Sequence, residues 1–369
     1  MEGLRVVELA RVLAGPWSGQ LLADLGAEVI KVERPGGGDD TREWGPPFVT
    51  GPEGESLGAA YYHSCNRGKR SVAVDIATAA GQAEVRGLLA DADVVIENYK
   101  VGGLVKYGLD PARLRADFPA LIICSITGFG QTGPYAHRAG YDFIVQAMSG
   151  FMSLTGESDG PPQKAGIAYA DIFTGMYATV AILAALRRRD ATGAGAHIDM
   201  ALLDAQVAVL ANQAANYLAS GVSPKRMGNG HANVVPYQAF ATVDGQLVVA
   251  VGNDSQFRKL CGILGEPRWA DDPRFANNAA RLASRGELIP LLAARIAGWE
   301  AQALSLALEA EGVPAGPIND LAGVFADPQV IARGLRFRPE GAHLDGVASP
   351  IVIDGERMVA RTGAPPLSA

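Results

Sequence analysis

The chain has 369 residues, more than one compact domain usually holds, so about two domains are expected. Hydrophobic residues make up 48% and charged residues 19%, ample for real cores and incompatible with disorder. A formal net charge of −7 gives no electrostatic footprint for nucleic acid or an anionic membrane surface. Cys65, Cys124 and Cys261 are far apart and odd in number, which fits a reducing compartment and argues against a disulfide framework or zinc spacing.

Met1-Glu2-Gly3-Leu4 runs directly into a strand pattern, without the features of a signal or transit segment. The longest apolar stretches, around Met176–Leu186 and Val207–Leu210, fall short of the ~20 residues a bilayer requires. The expectation is a soluble cytoplasmic protein with no nucleic-acid and no membrane partner.

Leu4–Leu9 is a β-branched apolar run that reads as a buried strand. Pro16 suits the first position of the following helix, Gly26 ends it, and Ala27–Val32 is a second strand. This βαβ unit implies a parallel sheet. Its first turn lacks the Gly-x-Gly-x-x-Gly fingerprint of a dinucleotide fold. Glu33 stands where such folds place a ribose-binding acid, but Arg34 beside it favours a phosphate at least as well. Residues 35–58 read as a long surface loop of the kind that is often functional. Asn66-Arg67-Gly68-Lys69-Arg70 is either a solvated turn or a clamp for a phosphate-bearing ligand. A helix over 78–90 precedes the strand Asp93–Glu97. Asn98-Tyr99-Lys100 then lies at the edge where open α/β sheets bind ligands.

Leu121–Ile126 is a further strand. Gly128–Gly133 matches Gly-x-Gly-x-x-Gly by letter, but Pro134 follows and no helix begins in the right place, so it reads as a loop over a site. Asp171 precedes the apolar run Ile172–Leu186, which Arg187-Arg188-Arg189 closes as a helix C-terminus favours. At its N-cap Asp171 could simply satisfy orphan amides. The sharper reading is a carboxylate nucleophile, kept ionised by the helix terminus and reached past Gly166, Ala168, Ala170 and Gly175. A strand at Ile198–Met200 and one long helical run over 202–219 follow. Composition shifts near Ser220. Asp244-Gly245 joins two strands as a hairpin. Helices over 255–264, 284–297 and 300–311 complete an α+β module. From Leu344 short strands return towards the first domain.

Several chemistries are absent from the pattern. There is no phosphate-binding Walker loop. The five histidines are scattered, so no metal is expected. Each cysteine sits in or beside an apolar segment and reads as buried. A carboxylate is left as the best candidate nucleophile, with basic loops available for an anionic ligand.

Nearly the whole chain resembles the class III CoA-transferases, the carnitine-CoA-transferase and bile-acid-inducible-F (CaiB/BaiF) superfamily. The resemblance rests on Arg11-Val-Leu-Ala-Gly-Pro16, Leu25–Arg34, Asn66–Ser71, Glu97-Asn-Tyr99, Ser125–Pro134, Gly140-Tyr-Asp142 and the helix-start Asp171. It implies an α/β fold: a Rossmann-like parallel-sheet large domain over 1–205, a smaller α+β domain over 225–325, and a C-terminal segment, 335–369, returning to the large domain. An interlocked homodimer is also implied. Carried over by position, coenzyme A would touch Leu13 and Ala14, Arg34, Val74, Asn98, Tyr99 with Lys100 beside it, Lys106, and the segment from Arg138 to Tyr141. Gly230 and His231 fall in the loop that covers the acyl site in relatives. Asp171 would attack an acyl-CoA thioester and pass through a mixed anhydride and an aspartyl-CoA thioester. Backbone amides at that helix start and in the glycine loop would stabilise the anions. The implied partners are an acyl-CoA and a small carboxylic acid.

Racemases of the same superfamily carry His where this chain has Tyr141, and Tyr is a poor base near neutral pH, so transfer is preferred over epimerisation. Val235–Phe240 and Gly316–Asn319 are most similar to the succinyl-CoA:dicarboxylate (glutarate or hydroxymethylglutarate) subfamily. Relatives continue beyond the 364–367 region, and the shorter end here is expected to weaken packing of the large domain or dimer. A nicotinamide-dependent oxidoreductase using Gly128–Gly133 and a non-catalytic CoA-binding protein are the readings from other classes.

Overall fold

Six short runs rich in Val and Ile form one parallel sheet in the computed structural model, which describes residues 1–368. They are β1 (Arg5–Glu8), β2 (Glu28–Glu33), β3 (Lys69–Ala73), β4 (Val94–Glu97), β5 (Ile122–Thr127) and β6 (Ala196–Ala201). The spatial order is β3-β2-β1-β4-β5-β6, with every pair parallel. The central strands are apolar on consecutive residues because helices cover both sheet faces. Val6, Val29, Val94 and Ile122 enter one core, while Val7, Val32, Val95 and Ile123 enter the other.

The first core is closed by α1 (Ala14–Asp24) and the 24-residue α5 (Tyr169–Thr192); the second by α2 (Ala79–Ala90) and α3 (Pro111–Asp117). Between them in sequence lies the short helix α4 (Asp142–Met148), and α6 (Leu202–Ala208) and α7 (Ala211–Ser220) follow β6. α1 and α5 cross closely: a Cβ on Gly175 would come 2.7 Å from the Ala14 carbonyl oxygen. The start of one helix is therefore brought to the start of the other. Strand order reverses between β1 and β4, and the crevice beyond their C-terminal ends is where open sheets bind ligands.

The chain divides into two compact units, one of residues 1–152, 164–223 and 328–369 and a smaller one of 153–163 and 224–327. The smaller unit pairs β7 (Tyr237–Ala241), β8 (Gln246–Ala250) and β9 (Ala315–Pro317) antiparallel. Phe240, Leu247, Phe257, Leu288 and Leu304 are in its core. In the larger unit, the Ala360 amide donates to Asp24 at 2.9 Å, and Arg67 donates to the Val347 carbonyl at 2.7 Å, which ties the last segment to the parallel-sheet body.

Some local expectations change. Pro16 is the third residue of α1, not the first. The helical run after β6 breaks in two at Ala211, whose φ is +46°. α5 begins at Tyr169, before Asp171, and is long and apolar enough to cross a bilayer, contrary to the length argument made from its apolar core alone. Its buried face, including Ala170, Thr174, Ala178, Ile182 and Leu186, joins the sheet core.

Candidate active site

Asp171 is not the N-cap of α5; Ala168 is, and it makes no side-chain capping bond. Asp171 lies in the first helical turn, half-buried. The cap comes from outside the helix. Asp142, first residue of α4, accepts the amide of Ala170 at 2.8 Å and that of Asp171 at 3.4 Å through one oxygen, while its other oxygen accepts Gln146 Nε2 at 2.6 Å. The remaining amides of this helix start are also taken: Tyr169 donates to Ile167 and Ile172 to Ala168. They are not available to an oxyanion, contrary to the sequence expectation.

Burial first, and the Asp142 charge second, push the Asp171 carboxyl up to about 7. Burial thus works against the firmly ionised carboxylate expected at a helix terminus. The Tyr61 phenol is pushed up to about 12 by burial and then by the Asp171 charge, which puts that ring in the same electrostatic environment.

A cleft of about 410 Å³ opens at the sheet's switch point and contains Asp171 and Asp142 in its lining. Of the residues named from sequence, Leu13, Ala14, Asn98, Tyr99, Lys100, Lys106, Arg138 and Tyr141 also line it. They come from the turn after β1, the turn after β4 and the segment before α4. Leu13 and Ala14 open α1, and their amides have no hydrogen-bond partner among the described residues. Asn98, in the lining, also holds the neighbouring turn: its side-chain amide accepts the Arg11 amide at 3.1 Å and donates to the Arg11 carbonyl at 2.7 Å. Lys106 sits 4.6 Å from the centre of the Tyr107 ring, and Arg138 sits 4.5 Å from that of Tyr135. Tyr141 is 66% exposed.

Two expected contacts are not in this lining. Val74 is buried in the core with Val32, Val85 and Leu89, so its side chain serves packing. Arg34 is exposed and pairs with Asp40 at 3.0 Å; Asp40 lines the cleft and Arg34 does not. Gly230 and His231 belong to the smaller unit, where the His231 ring lies 5.1 Å from Tyr237 and its Nδ1 accepts the Asn233 amide.

The basic cluster 66–70 is neither a clamp nor a solvated turn for the most part. Arg67 is buried against Asp24 at 2.6 Å and Lys69 against Glu8 at 2.8 Å; only Arg70 is exposed. Glu33 is buried and paired with Arg42 at 2.7 Å, which removes it from any ribose-binding role. In the Gly128–Gly133 loop the first glycine is required by contact: an added Cβ on Gly128 would come 2.5 Å from Gly140 Cα. Both glycines line the cleft. All three cysteines are buried free thiols, as their apolar surroundings suggested.

Sequence reasoning gave no role to Arg11, Trp44 or Asp142, which also line the cleft. Arg11 and Asp142 lay inside quoted motifs. Trp44 lay in the long loop, where no periodicity could single it out.

A doubly wound parallel sheet with a cationic, carboxylate-bearing cleft at its switch point defines a ligand-binding α/β enzyme. The sequence profile of CoA-transferase family III matches residues 1–369, and the chain belongs to that family. It is 60% identical over 356 residues to the succinate–glutarate CoA-transferase of Agrobacterium fabrum, covering 96% of this chain and 89% of that one. To the human succinyl-CoA:glutarate CoA-transferase it is 46% identical, over 95% and 78% of the two chains. Among solved structures it is similar to a CaiB/BaiF family protein from Brucella suis, with a TM-score of 0.89 and 57% identity over 99% and 96% of the chains. The protein is a CoA-transferase.

Proposed function

We propose that this CoA-transferase moves CoA from succinyl-CoA to a dicarboxylic acid of glutarate type, with Asp171 as the covalent nucleophile. The observation that carries the reading is an Asp171 carboxylate lining a cleft with Lys100, Lys106 and Arg138, in a chain similar over nearly its whole length to transferases named for succinate and glutarate. The cations suit the phosphates of CoA. Trp44, Tyr99 and Tyr107 give the rest of the ligand rings to pack on.

An Asp171 oxygen attacks the thioester carbonyl carbon. The tetrahedral oxyanion collapses, the C–S bond breaks, and CoA thiolate leaves an acyl-aspartyl anhydride. The thiolate then attacks the Asp171 carbonyl carbon and expels the donor as its carboxylate. The acceptor carboxylate attacks the aspartyl-CoA thioester, the C–S bond breaks, and CoA thiolate leaves a second, acceptor-aspartyl anhydride; that thiolate then attacks the acceptor's carbonyl carbon, forming the new acyl-CoA and releasing the Asp171 carboxylate. Splitting the exchange this way replaces one hard step by several easier ones. The unbonded amides of Leu13 and Ala14, which line the cleft, are assigned as the donors to the oxyanions. Gly230 and His231 are kept as contacts of the acyl substrate, and Arg34 as a contact of CoA.

A second copy of the chain is part of this reading. Phe143, Ile144, Val180, Leu218 and Val222 leave large apolar side chains in solvent on the larger unit, Leu218 by 81%. An interlocked homodimer, as the family resemblance implies, would give these side chains a place to be buried. The three free, buried thiols support a reducing compartment such as the cytoplasm.

The test is incubation with succinyl-CoA and a panel of dicarboxylates, read by mass. Transfer to glutarate in the wild type, abolished in Asp171→Ala, is expected. Transfer undiminished in Asp171→Ala defeats the mechanism, and deuterium wash-in at an acyl α-carbon without change of acid would convert the reading to epimerisation.

A further inference from the structure

Val12 has a φ of +71°, a left-handed conformation that a β-branched residue holds only when its surroundings impose it. Its amide donates to both oxygens of Asp39, at 3.2 and 3.3 Å. Asp39 is buried and is itself held by the Thr41 amide at 3.0 Å, the Thr41 hydroxyl at 2.8 Å and the Lys31 ammonium at 2.9 Å. Lys31 also donates to the Ala10 carbonyl at 2.9 Å and pairs with Glu8. Glu8 is shared with Lys69, whose ammonium donates to the Pro16 carbonyl at 2.8 Å. The backbone on both sides of the Arg11–Leu13 turn thus ends on one buried quartet, Glu8, Lys31, Asp39 and Lys69.

None of the four enters the covalent steps above. Buried ion pairs are weak evidence for stability, since desolvation offsets their attraction. What this quartet does is fix a strained turn, and the next two residues of that turn are Leu13 and Ala14 with their unbonded amides in the cleft.

We propose that Asp39, oriented by Lys31, is a positioning residue for acyl transfer: it locks Val12 in the left-handed turn and so aims the Leu13 and Ala14 amides at the oxyanion formed over Asp171. This inference rests on the covalent role given to Asp171 above. The clamp acts on the transition state and not on CoA binding, so it governs the rate of acylation more than affinity.

The experiment is single-turnover acylation of Asp171 by succinyl-CoA, read by mass, in the wild type, Asp39→Ala, and Asp39→Ala combined with Val12→Gly. Glycine holds a positive φ without strain, so it keeps the turn when the clamp is gone. Asp39→Ala should acylate about 10- to 100-fold more slowly with the KM for succinyl-CoA within about threefold of wild type. Adding Val12→Gly should restore most of the rate while leaving any loss of Tm in place, which a merely structural role would not produce. Asp39→Asn, which keeps an acceptor for the Val12 amide, should fall between. Should Asp39→Ala not fold, Thr41→Val removes the hydroxyl that orients Asp39 and permits the same rescue comparison. Acylation at the wild-type rate in the Asp39 or Thr41 variant, or a loss that Val12→Gly leaves untouched, overturns the inference alone. A wild type that never carries an acyl group on Asp171 overturns the covalent reading and this inference with it.

Discussion

Asp142 accepts the backbone amides of Ala170 and Asp171 at 2.8 and 3.4 Å, so the helix carrying Asp171 is capped by a residue of another helix. A local cap would have left Asp171 either engaged in capping or remote from a second charge. Capping from Asp142 leaves the Asp171 side chain free for chemistry and sets a like charge beside it. The position of one carboxylate and the proton affinity of the other are thus coupled.

The acid limb of kcat/KM for succinyl-CoA should report this coupling. With Asp171 near 7 in the free protein, the wild type loses activity as pH falls through about 7, because the protonated carboxyl is no nucleophile. Asp142→Asn keeps an acceptor for the two amides and removes the charge, so the limb moves to lower pH. Burial, the larger cause, remains, so it does not return to an ordinary Asp value. Asp142→Ala loses the cap as well, at about 1 kcal/mol of stability. A limb at the same pH in Asp142→Asn would count against the electrostatic account.

Stability should depend on pH through the same group. The folded-state pKa of Asp171 lies above its unfolded value, so between about pH 4 and 7 the native state holds more protons than the unfolded state. Stability from this group is therefore lost as pH rises through that window, by about 1.4 kcal/mol for each pH unit crossed. Asp171→Asn does not titrate there. Its Tm should exceed that of the wild type by a margin that grows from pH 4 to 7 and is flat above. A margin independent of pH in chemical or thermal melts would contradict this.

Arg67→Ala should separate structure from CoA binding in the basic cluster. Arg67 is buried, makes a two-point contact with Asp24 and reaches the Val347 carbonyl. Removing it strands a buried carboxylate, which typically costs about 3–5 kcal/mol. The Tm should fall by many degrees while the KM for succinyl-CoA in the surviving fold stays near wild type. A rise in KM with Tm unchanged would revive the phosphate clamp.

The sheet and the larger body were legible because a βαβ pattern of consecutive β-branched runs has one common solution, and the turns after β1 and β4 fall at its ligand edge by topology alone. Asp171 stood out by its position before a long apolar helix. What the sequence could not show were the partners brought from far along the chain: Asp142 under a helix start 28 residues later, Asn98 bonded to the Arg11 backbone, Arg67 and Lys69 turned inward onto Asp24 and Glu8. A charge run looks the same in sequence whether it meets solvent or a buried acid. Val74 illustrates the converse, since an apolar residue at a strand end carries no mark of whether it faces core or ligand.

Gly140→Ala should impair both stability and binding. Its Cβ would lie 2.4 Å from Gly128 Cα, a backbone atom that cannot rotate away. The strand-end loop and the segment leading to Asp142 would have to separate, at about 1–3 kcal/mol. A higher KM for acyl-CoA, together with a lower Tm, is expected from titration and melting of the same variant. Wild-type values in both would mean that the loops part without consequence.

The Glu8, Lys31, Asp39 and Lys69 quartet is neutral as a set and cannot lose one member without isolating another in the interior. A lineage drifting by single substitutions would pass through a poorly folding intermediate at every one of these positions. The four should therefore be inherited as a block, retained together or exchanged together for apolar residues, and a collection of descendant sequences would carry that record without any measurement on the enzyme.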